Sequence, residues 1–274
     1  MKILAVVVTY YPEEILLKKN IDSFVDYVDK ILIWENTPEK EKLSYRFIYN
    51  EKIEYRGDGI NSISHALNYA WHYAKGNAYD YLLTMDQDSI FDNFYFLKKY
   101  AEDHFREKVL LGPVLNKDDY KLKDNNPATK RECLITSGSL IYVGVLNELG
   151  GYNEKLEIDG IDTELCLRAN LKGISSYQVE NCNLKQRFGK TEKRYLFGKE
   201  FLLSSYSTKR LESILKSHIY LMRKYNNMSK DIKKHIFRHY VLERIRDIVL
   251  FEDEKILKIA YMVKGIMKGL FVKI

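Results

Sequence analysis

Five continuous apolar runs, separated by segments of helical periodicity, constrain the fold of this chain more than any other feature of its sequence. The runs cover residues 3–8, 31–34, 81–85, 109–115 and 134–143. Such runs are typical of strands buried on both faces of a largely parallel sheet. Between them, apolar residues recur at helical spacing over 17–28 and 63–74. Strands alternating with helices predict an α/β domain with a mixed, mostly parallel sheet flanked by helices.

The sequence pattern changes near residue 190. Strand signals stop there, and basic segments with helical spacing follow, including 211–225 and 232–250. We therefore predict that residues 1–190 form the α/β domain and that residues 191–274 form a C-terminal α-helical extension. Residues 190–274 contain 20 Lys+Arg and 9 Asp+Glu, a formal charge of +11, which leaves −5 for the first 189 residues of the +6 chain. The two regions are expected to meet different partners.

Composition and motifs exclude several classes of protein. A chain of 274 residues with 46% hydrophobic content can bury a full-sized core. The three cysteines have no Cys-x-x-Cys spacing, which favours a reducing, cytoplasmic setting over a disulfide framework or a thiolate zinc site. No apolar run reaches the roughly 18 residues of a membrane span. The acidic first region opposes nucleic-acid binding, and the glycine-rich signatures of ATP-binding, nicotinamide-binding and serine-hydrolase proteins do not occur.

Polar residues follow three of the predicted strands. Thr9-Tyr10-Tyr11 follows the first, Glu35-Asn36-Thr37 the second and Asp86-Gln87-Asp88 the third. Since ligands bind beyond the carboxyl ends of strands in open α/β sheets, we expect these residues to line one crevice. Two carboxylates at i and i+2 can offer oxygen ligands to Mg²⁺ or Mn²⁺ beside a diphosphate. The alternative is an ordinary turn at the end of a strand.

A second acidic segment precedes a short helical pattern that stops at Lys172-Gly173. A helix cap at Asp159 or Asp162, together with an i,i+4 ion pair between Glu164 and Arg168, would explain these residues structurally. A carboxylate held at a helix start and facing a crevice is also suited to act as a general base.

Several of these segments together, in order across roughly residues 3–225, resemble glycosyltransferase family 2 and its rhamnosyltransferase-like branch. Residues 6–12 resemble the family's opening strand and nucleotide-contacting loop, and residues 31–37 its second strand, with Glu35 in place of the usual aspartate. Ile63-Ser64-His65-Ala66-Leu67-Asn68 is similar to its Gly-Ile-x-x-Ala-Leu-Asn helix, with Ser62 where glycine is usual. Asp86-Gln87-Asp88-Ser89 matches the Asp-Gln-Asp-Ser of the branch and is the most specific short match.

Two later segments extend the resemblance. Thr136-Ser137-Gly138-Ser139 is similar to the strand that carries acceptor-side contacts in the family. Residues 156–168 resemble its Phe-Ile-Asp-x-Val-Asp-x-Glu-Trp-Cys-Leu-Arg segment, a register that places Asp162 at the position of the base.

The resemblance implies a GT-A (Rossmann-like) fold and an inverting, metal-dependent glycosyltransferase. It implies Asp162 as the catalytic base and donor contacts from Thr9, Tyr10, Tyr11, Glu35, Asn68, Asp86, Gln87 and Asp88. It implies acceptor-side contacts from Ser137, Gly138, Asp159 and Arg168. It also implies Mg²⁺ or Mn²⁺ on Asp88, Asp86 and Gln186, although Gln186 stands where family members commonly place a histidine, a better ligand for Mn²⁺.

We therefore expect transfer of L-rhamnose from dTDP-L-rhamnose to a cell-surface polysaccharide or lipid-linked glycan. The alternatives are a UDP-sugar donor such as galactose, galactofuranose or glucose, and a non-catalytic nucleotide- or glycan-binding partner subunit. The second alternative is motivated by the departures at Glu35, Ser62 and Gln186. The basic C-terminal region is expected to meet an anionic membrane, to pack on the catalytic domain or to pair in a homodimer. The expected location is the cytoplasm, with peripheral attachment to the inner face of the plasma membrane as an option.

Overall fold

The structure is a computed structural model that describes residues 1–38, 50–118, 120–186, 191–196, 198–225 and 230–274. The chain divides into two compact units. Unit 1 comprises Met1–Glu157 and Ile161–Gln186, and unit 2 comprises Ile158–Gly160 and the described part of Arg187–Ile274. The predicted domain boundary at residue 190 lies outside the described residues.

A nine-stranded mixed sheet, counted over the described residues, forms the centre of unit 1. The strands are β1 (Ile3–Thr9), β2 (Lys30–Glu35), β3 (Ile53–Arg56), β4 (Tyr81–Asp86), β5 (Ile90–Phe91), β6 (Val109–Leu115), β7 (Ala128–Arg131), β8 (Ser139–Tyr142) and β9 (Ser175–Lys185). Their order in the sheet is β3-β2-β1-β4-β8-β6-β9-β5, and β7 pairs with β9. The first four strands in this order are parallel to one another, and β6 is parallel to β9. Strand β8 lies between β4 and β6 and is antiparallel to both.

Five helices accompany this sheet within the described part of unit 1. They are α1 (Glu14–Asp22), α2 (Ile63–Gly76), α3 (Phe94–Asp103), α4 (Val143–Leu149) and α5 (Ile161–Leu171). Ser62 immediately precedes helix α2 and caps it, because its hydroxyl accepts the backbone N–H of His65 at 3.3 Å. Its buried residues recur at helical spacing, so the helix packs one apolar face inward.

Unit 2 contains a two-stranded hairpin followed by helices. The hairpin pairs β10 (Thr191–Leu196) with β11 (Lys199–Ser204) in antiparallel register. The helices are α6 (Thr208–Lys224), α7 (Lys230–Ile236), a π-helical segment at Phe237–Glu243, α8 (Arg244–Phe251) and α9 (Lys255–Phe271). Over the described residues, no helix is both long enough and apolar enough to span a membrane.

Two glycines let α9 lie directly against α6. A Cβ atom at Gly265 would come within 2.4 Å of the Glu212 carbonyl oxygen, and one at Gly269 within 2.7 Å of the Lys216 carbonyl oxygen. Any larger residue would push the two helices apart, so this spacing fixes which face of α9 is buried.

The predicted fold class is confirmed: a mixed α/β layered domain carries a C-terminal helical extension. Two local predictions were wrong. Of the predicted strand at 134–143, only Ser139–Tyr142 is a strand, because Gly138 turns the chain with a φ of 79° and α4 begins at Val143. Residues 191–196 and 199–204, expected to be helical, form the β10–β11 hairpin, where Gly198 takes a left-handed φ of 74° at the turn.

Candidate functional site

The ends of β1, β2 and β4 meet at one edge of the sheet, as their parallel register requires. Thr9 lies opposite Glu35, and Val8 lies opposite Asp86. The three polar segments that follow these strands are therefore neighbours at this edge, where ligands bind in open α/β sheets. Thr9 itself is fully buried, and its hydroxyl donates to the Trp34 carbonyl at 3.2 Å, so it joins two strands rather than facing outward.

Hydrogen bonds between side chains and backbone groups connect the three segments. The Gln87 side chain accepts the N–H of Tyr10 at 2.7 Å and donates to the carbonyl of Tyr10 at 3.1 Å. The N–H of Tyr11 donates to the Thr37 hydroxyl at 2.9 Å. The rings of Tyr10 and Tyr11 meet edge to face with centroids 4.6 Å apart and stay 45% and 41% exposed. Two aromatic side chains are thus presented to solvent beside the acidic turn.

Glu35 is a buried carboxylate at the end of β2. Only 4% of the residue is exposed, and its Oε1 atom has no hydrogen-bond partner among the described residues. The neighbouring chain approaches closely, because a Cβ atom at Gly57 would come within 2.4 Å of the Glu35 carbonyl oxygen. A buried acceptor without a donor is costly, and a ligand N–H or O–H would satisfy it.

The turn after β4 is held by a buried asparagine that the sequence analysis did not identify. The amide of Asn20, on α1, donates to the carbonyl of Asp86 at 2.9 Å and to the carbonyl of Ser89. Asn20 is fully buried on the same face of α1 as Leu17 and Ile21. A polar residue within an apolar helical stripe is the signal that could have pointed to it.

Four polar groups form a closed hydrogen-bond circuit, hereafter the Asp86 circuit. The Asp86 N–H donates to the Ser137 hydroxyl at 3.1 Å, and Ser137 donates to the Ser89 hydroxyl at 2.8 Å. Ser89 donates to Gln186 Oε1 at 2.5 Å, and Gln186 Nε2 donates to Asp86 Oδ2 at 2.8 Å. The structure therefore brings Asp86, Ser137 and Gln186, predicted for three different roles, into one cluster.

The residues around this turn fit a divalent cation only in part. Among the described residues, no group of three His, Cys, Asp or Glu side chains is arranged to hold a metal ion. Gln186 directs its NH₂ group to Asp86 and its carbonyl oxygen to Ser89, so that oxygen is already engaged. Asp88 lies half-buried on the same turn. This set suits Mg²⁺ or Mn²⁺ bound by one or two carboxylates and completed by phosphate oxygens and water.

Asp162 lies in the first turn of α5, where it accepts the N–H of Thr163 at 2.7 Å. Desolvation raises the pKa of the Asp162 carboxyl, and the negative charge of Asp86 adds to the effect. A small, mostly apolar pocket, lined partly by Leu134, Leu165 and Cys166, adjoins Asp162 and accounts for the weak solvation. A half-buried carboxylate with a raised pKa is suited to accept a proton.

Other predicted site residues are occupied by structural contacts. Asn68 binds the backbone of Tyr152 through both its carbonyl and its amide, and it also donates to Glu154 at 2.8 Å. Arg168 pairs with Glu164 at 2.7 Å and donates to a backbone carbonyl. Gly138 turns the chain at a crowded point, where a Cβ atom would lie 2.9 Å from a proline ring.

Asp159 belongs to unit 2. Its carboxylate pairs with Arg210 of α6 at 2.9 Å. The contact joins the short segment Ile158–Gly160 to α6 within that unit.

We predict that Asp162→Asn makes the fold more stable at neutral pH. Because the folded state holds the Asp162 proton more tightly than the unfolded chain, this carboxyl favours folding at low pH, and that contribution is lost as the pH rises through its raised pKa. The Tm of Asp162→Asn should exceed that of the wild type at pH 7, and the difference should shrink as the pH falls. The exposed Asp124→Asn is the control and should leave the Tm unchanged. A lower Tm for Asp162→Asn at pH 7 would contradict the prediction.

Solved structures of GalNAc-T7 and of S. aureus TarS are similar in architecture to this chain. The chain matches GalNAc-T7 crystallised with UDP, GalNAc and Mn²⁺ at a TM-score of 0.62 and 12% identity, over 98% of this chain and 56% of that one. It matches S. aureus TarS 1–349 in complex with UDP-GlcNAc at a TM-score of 0.57 and 13% identity, over 98% of this chain and 82% of that one. It therefore spans little more than half the length of the GalNAc-T7 chain.

No protein-family model matches the sequence, and no curated protein matches it. At these identities the structural likeness shows the fold alone. That fold is the GT-A fold expected from the sequence.

Proposed function

We propose that this chain is an inverting glycosyltransferase that moves a sugar from a nucleotide diphosphate donor to a glycan acceptor. The observation that supports this most directly is the meeting of the β1, β2 and β4 ends beside Asp86, close enough to Asp162 for the two charges to interact. The GT-A fold is consistent with this chemistry, and the neighbours GalNAc-T7 and TarS were crystallised with UDP and UDP-GlcNAc.

In this proposal the donor nucleotide lies at the edge formed by the strand ends. Glu35 Oε1, which has no hydrogen-bond partner among the described residues, accepts an N–H of the base or a hydroxyl of the ribose. The exposed rings of Tyr10 and Tyr11 offer flat surfaces to the base or the sugar. Gln87 acts indirectly, because its amide holds the Tyr10 backbone in place.

Asp88 is the residue proposed to hold Mg²⁺ or Mn²⁺ together with the donor diphosphate. When bound, the cation would neutralise charge on the diphosphate leaving group. Its remaining ligands would be phosphate oxygens and water, as is usual for Mg²⁺ at nucleotide sites.

Asp162 is proposed to accept the proton of the attacking acceptor hydroxyl. The acceptor oxygen then forms its bond to the anomeric carbon as the bond to the diphosphate breaks, and no covalent sugar–enzyme intermediate is needed. The raised pKa of Asp162 brings the carboxylate closer in basicity to the operating pH.

Two observations bear on the identity of the donor sugar and nucleotide. The sequence Asp86-Gln87-Asp88-Ser89 favours dTDP-L-rhamnose through the family resemblance. The UDP and UDP-GlcNAc complexes of the structural neighbours favour a UDP sugar as the second candidate. Thymine and uracil both carry an N3–H that Glu35 can accept, so Glu35 does not separate them.

A donor panel tests the proposed activity. We expect release of nucleoside diphosphate from dTDP-L-rhamnose, and slower or no release from UDP-galactose, UDP-glucose and UDP-GlcNAc, in the presence of Mg²⁺ or Mn²⁺ and glycan acceptors. A faster reaction with a UDP sugar would select the second candidate. Absence of release from every donor with several acceptors, in a protein that still binds UDP or dTDP, would favour a non-catalytic binding subunit.

We predict that Asp162→Asn lowers kcat by about 10²- to 10⁴-fold, the usual contribution of a general base. Donor binding should change by less than about threefold, because the amide keeps the shape of the carboxyl and can still accept the Thr163 N–H. Because its pKa is raised, the wild-type kcat/KM should fall on the acid side at a pH above the ordinary range of aspartate. Full turnover by Asp162→Asn would show that another group is the base.

Helix α9 supports a proposal about the acceptor. Ile256, Val263, Met267 and Phe271 are 87%, 53%, 47% and 78% exposed, and their successive steps of seven, four and four residues place them on one face. We propose that this apolar stripe, in a region with a formal charge of +11, lies on an anionic membrane at the inner face of the plasma membrane, next to a lipid-linked acceptor. A homodimer formed through the same stripe is the alternative.

Liposome flotation tests the membrane proposal. Anionic vesicles should recover the wild type at low salt and less of it at moderate salt, whereas a Val263→Glu/Met267→Glu variant should stay unbound. Leu122→Glu, which changes an exposed leucine of unit 1, is the matched control and should float like the wild type. No recovery of the wild type at either salt would remove the proposal, and loss of a dimer in the double variant would favour the alternative.

A further inference from the structure

Two hydrogen bonds of the Asp86 circuit have a direction that their chemistry fixes. A backbone N–H can only donate, so the Ser137 hydroxyl is the acceptor in its contact with Asp86. A carboxylate oxygen can only accept, so the NH₂ group of Gln186 is the donor in its contact with Asp86 Oδ2. The Gln186 atom facing Ser89 is then the carbonyl oxygen, which accepts the Ser89 hydrogen, and Ser89 accepts the hydrogen of Ser137.

This direction fixes the orientation of the Gln186 amide. Its NH₂ group faces Asp86 Oδ2 at 2.8 Å and donates to it. A half-turn of the amide would set its oxygen against the Asp86 carboxylate and would leave the Ser89 hydrogen without its acceptor. Both changes are unfavourable, so the circuit and the carboxylate favour the same orientation.

The main chain at Gln186 is fixed as well. Its N–H donates to the side-chain oxygen of Asn116 at 2.8 Å, and its carbonyl accepts the Asn116 amide at 3.0 Å. Asn116 takes a φ of 45°, in the region that asparagine tolerates better than most residues. Hydrogen bonds therefore hold both the main chain of Gln186 and its side-chain amide.

We infer that Gln186 is a positioning residue that holds Asp86 in the donor site, and that it is not a ligand of the metal. Asp86 and Gln186 are 100 positions apart in the sequence, and their bond ties the turn after β4 to the end of β9. Any cation at this site takes its protein ligand from Asp88. The inference deepens the proposed function and rests on the nucleotide-binding role assigned to the turn.

Gln186 as a positioning residue and Gln186 as a metal ligand predict opposite results in a binding experiment with UDP as the probe. The affinity of UDP is measured by calorimetry for the wild type and for Gln186→Leu, first in EDTA and then with Mn²⁺. If Gln186 positions Asp86, Gln186→Leu should weaken UDP binding by about tenfold in EDTA, because a carboxylate of the site loses its orientation. The factor by which Mn²⁺ tightens UDP binding should stay within about twofold of the wild-type factor.

Two variants complete the test. Asp88→Asn should abolish most of the Mn²⁺ effect on UDP binding. Ser89→Ala breaks the circuit at another member and should reproduce the loss in EDTA, which keeps the inference testable if Gln186→Leu folds poorly by circular dichroism. The inference is overturned if Gln186→Leu binds UDP normally in EDTA but loses the Mn²⁺ effect as Asp88→Asn does. If the wild type binds neither UDP nor dTDP, the proposed function fails.

A separate measurement addresses the circuit alone. In EDTA, urea unfolding of Ser89→Ala, Gln186→Leu and the double variant forms a double-mutant cycle. Each single variant should be less stable than the wild type, and the double variant should lose less than the two losses added together. Strict additivity would show that the two side chains do not act as one unit.

Discussion

The parallel pairing of β1 with both β2 and β4 is the constraint on which the candidate site depends. Residues Ile3 to Val7 of β1 are fully buried, so the strand cannot shift along its neighbours without exposing apolar side chains. That register places Thr9 beside Glu35 and Val8 beside Asp86. Packing in the core thus determines which polar residues meet at the edge of the sheet.

Buried polar groups, rather than apolar packing, hold the turn after β4. The NH₂ group of Asn20 donates to two carbonyls of the turn, and four further hydrogen bonds form the Asp86 circuit. Loss of one member of the circuit leaves a polar group unsatisfied at a cost of about 1–3 kcal/mol. The orientation of Asp86 is consequently coupled to the stability of unit 1.

The sequence predicted the parts of this arrangement that depend on local pattern. Apolar runs located β1, β2, β4 and β6, and the resemblance of Asp86-Gln87-Asp88-Ser89 led to the GT-A fold, which is confirmed. The resemblance placed Gln186 beside Asp86, 100 positions away, although as a metal ligand. Asn20 was not predicted, because no local pattern indicates that it contacts Asp86, 66 positions away. Nor could the direction of the Gln186 amide be predicted, since it depends on contacts with the Asp86 carboxylate and the Ser89 hydroxyl. The roles assigned to Asp162 and Asp88 remain predictions.

Unit 1 keeps two carboxylates close enough that the charge of Asp86 raises the pKa of Asp162. Stability alone does not explain the presence of both carboxylates, since an apolar or amide side chain at either position would remove the repulsion. Each carboxylate accepts a hydrogen bond from its own donor: the Gln186 side chain donates to Asp86, and the Thr163 N–H donates to Asp162. These donors come from different elements, the end of β9 and the first turn of α5, so the two charges are oriented independently. Such an arrangement suits a site where one carboxylate faces a donor and the other accepts a proton.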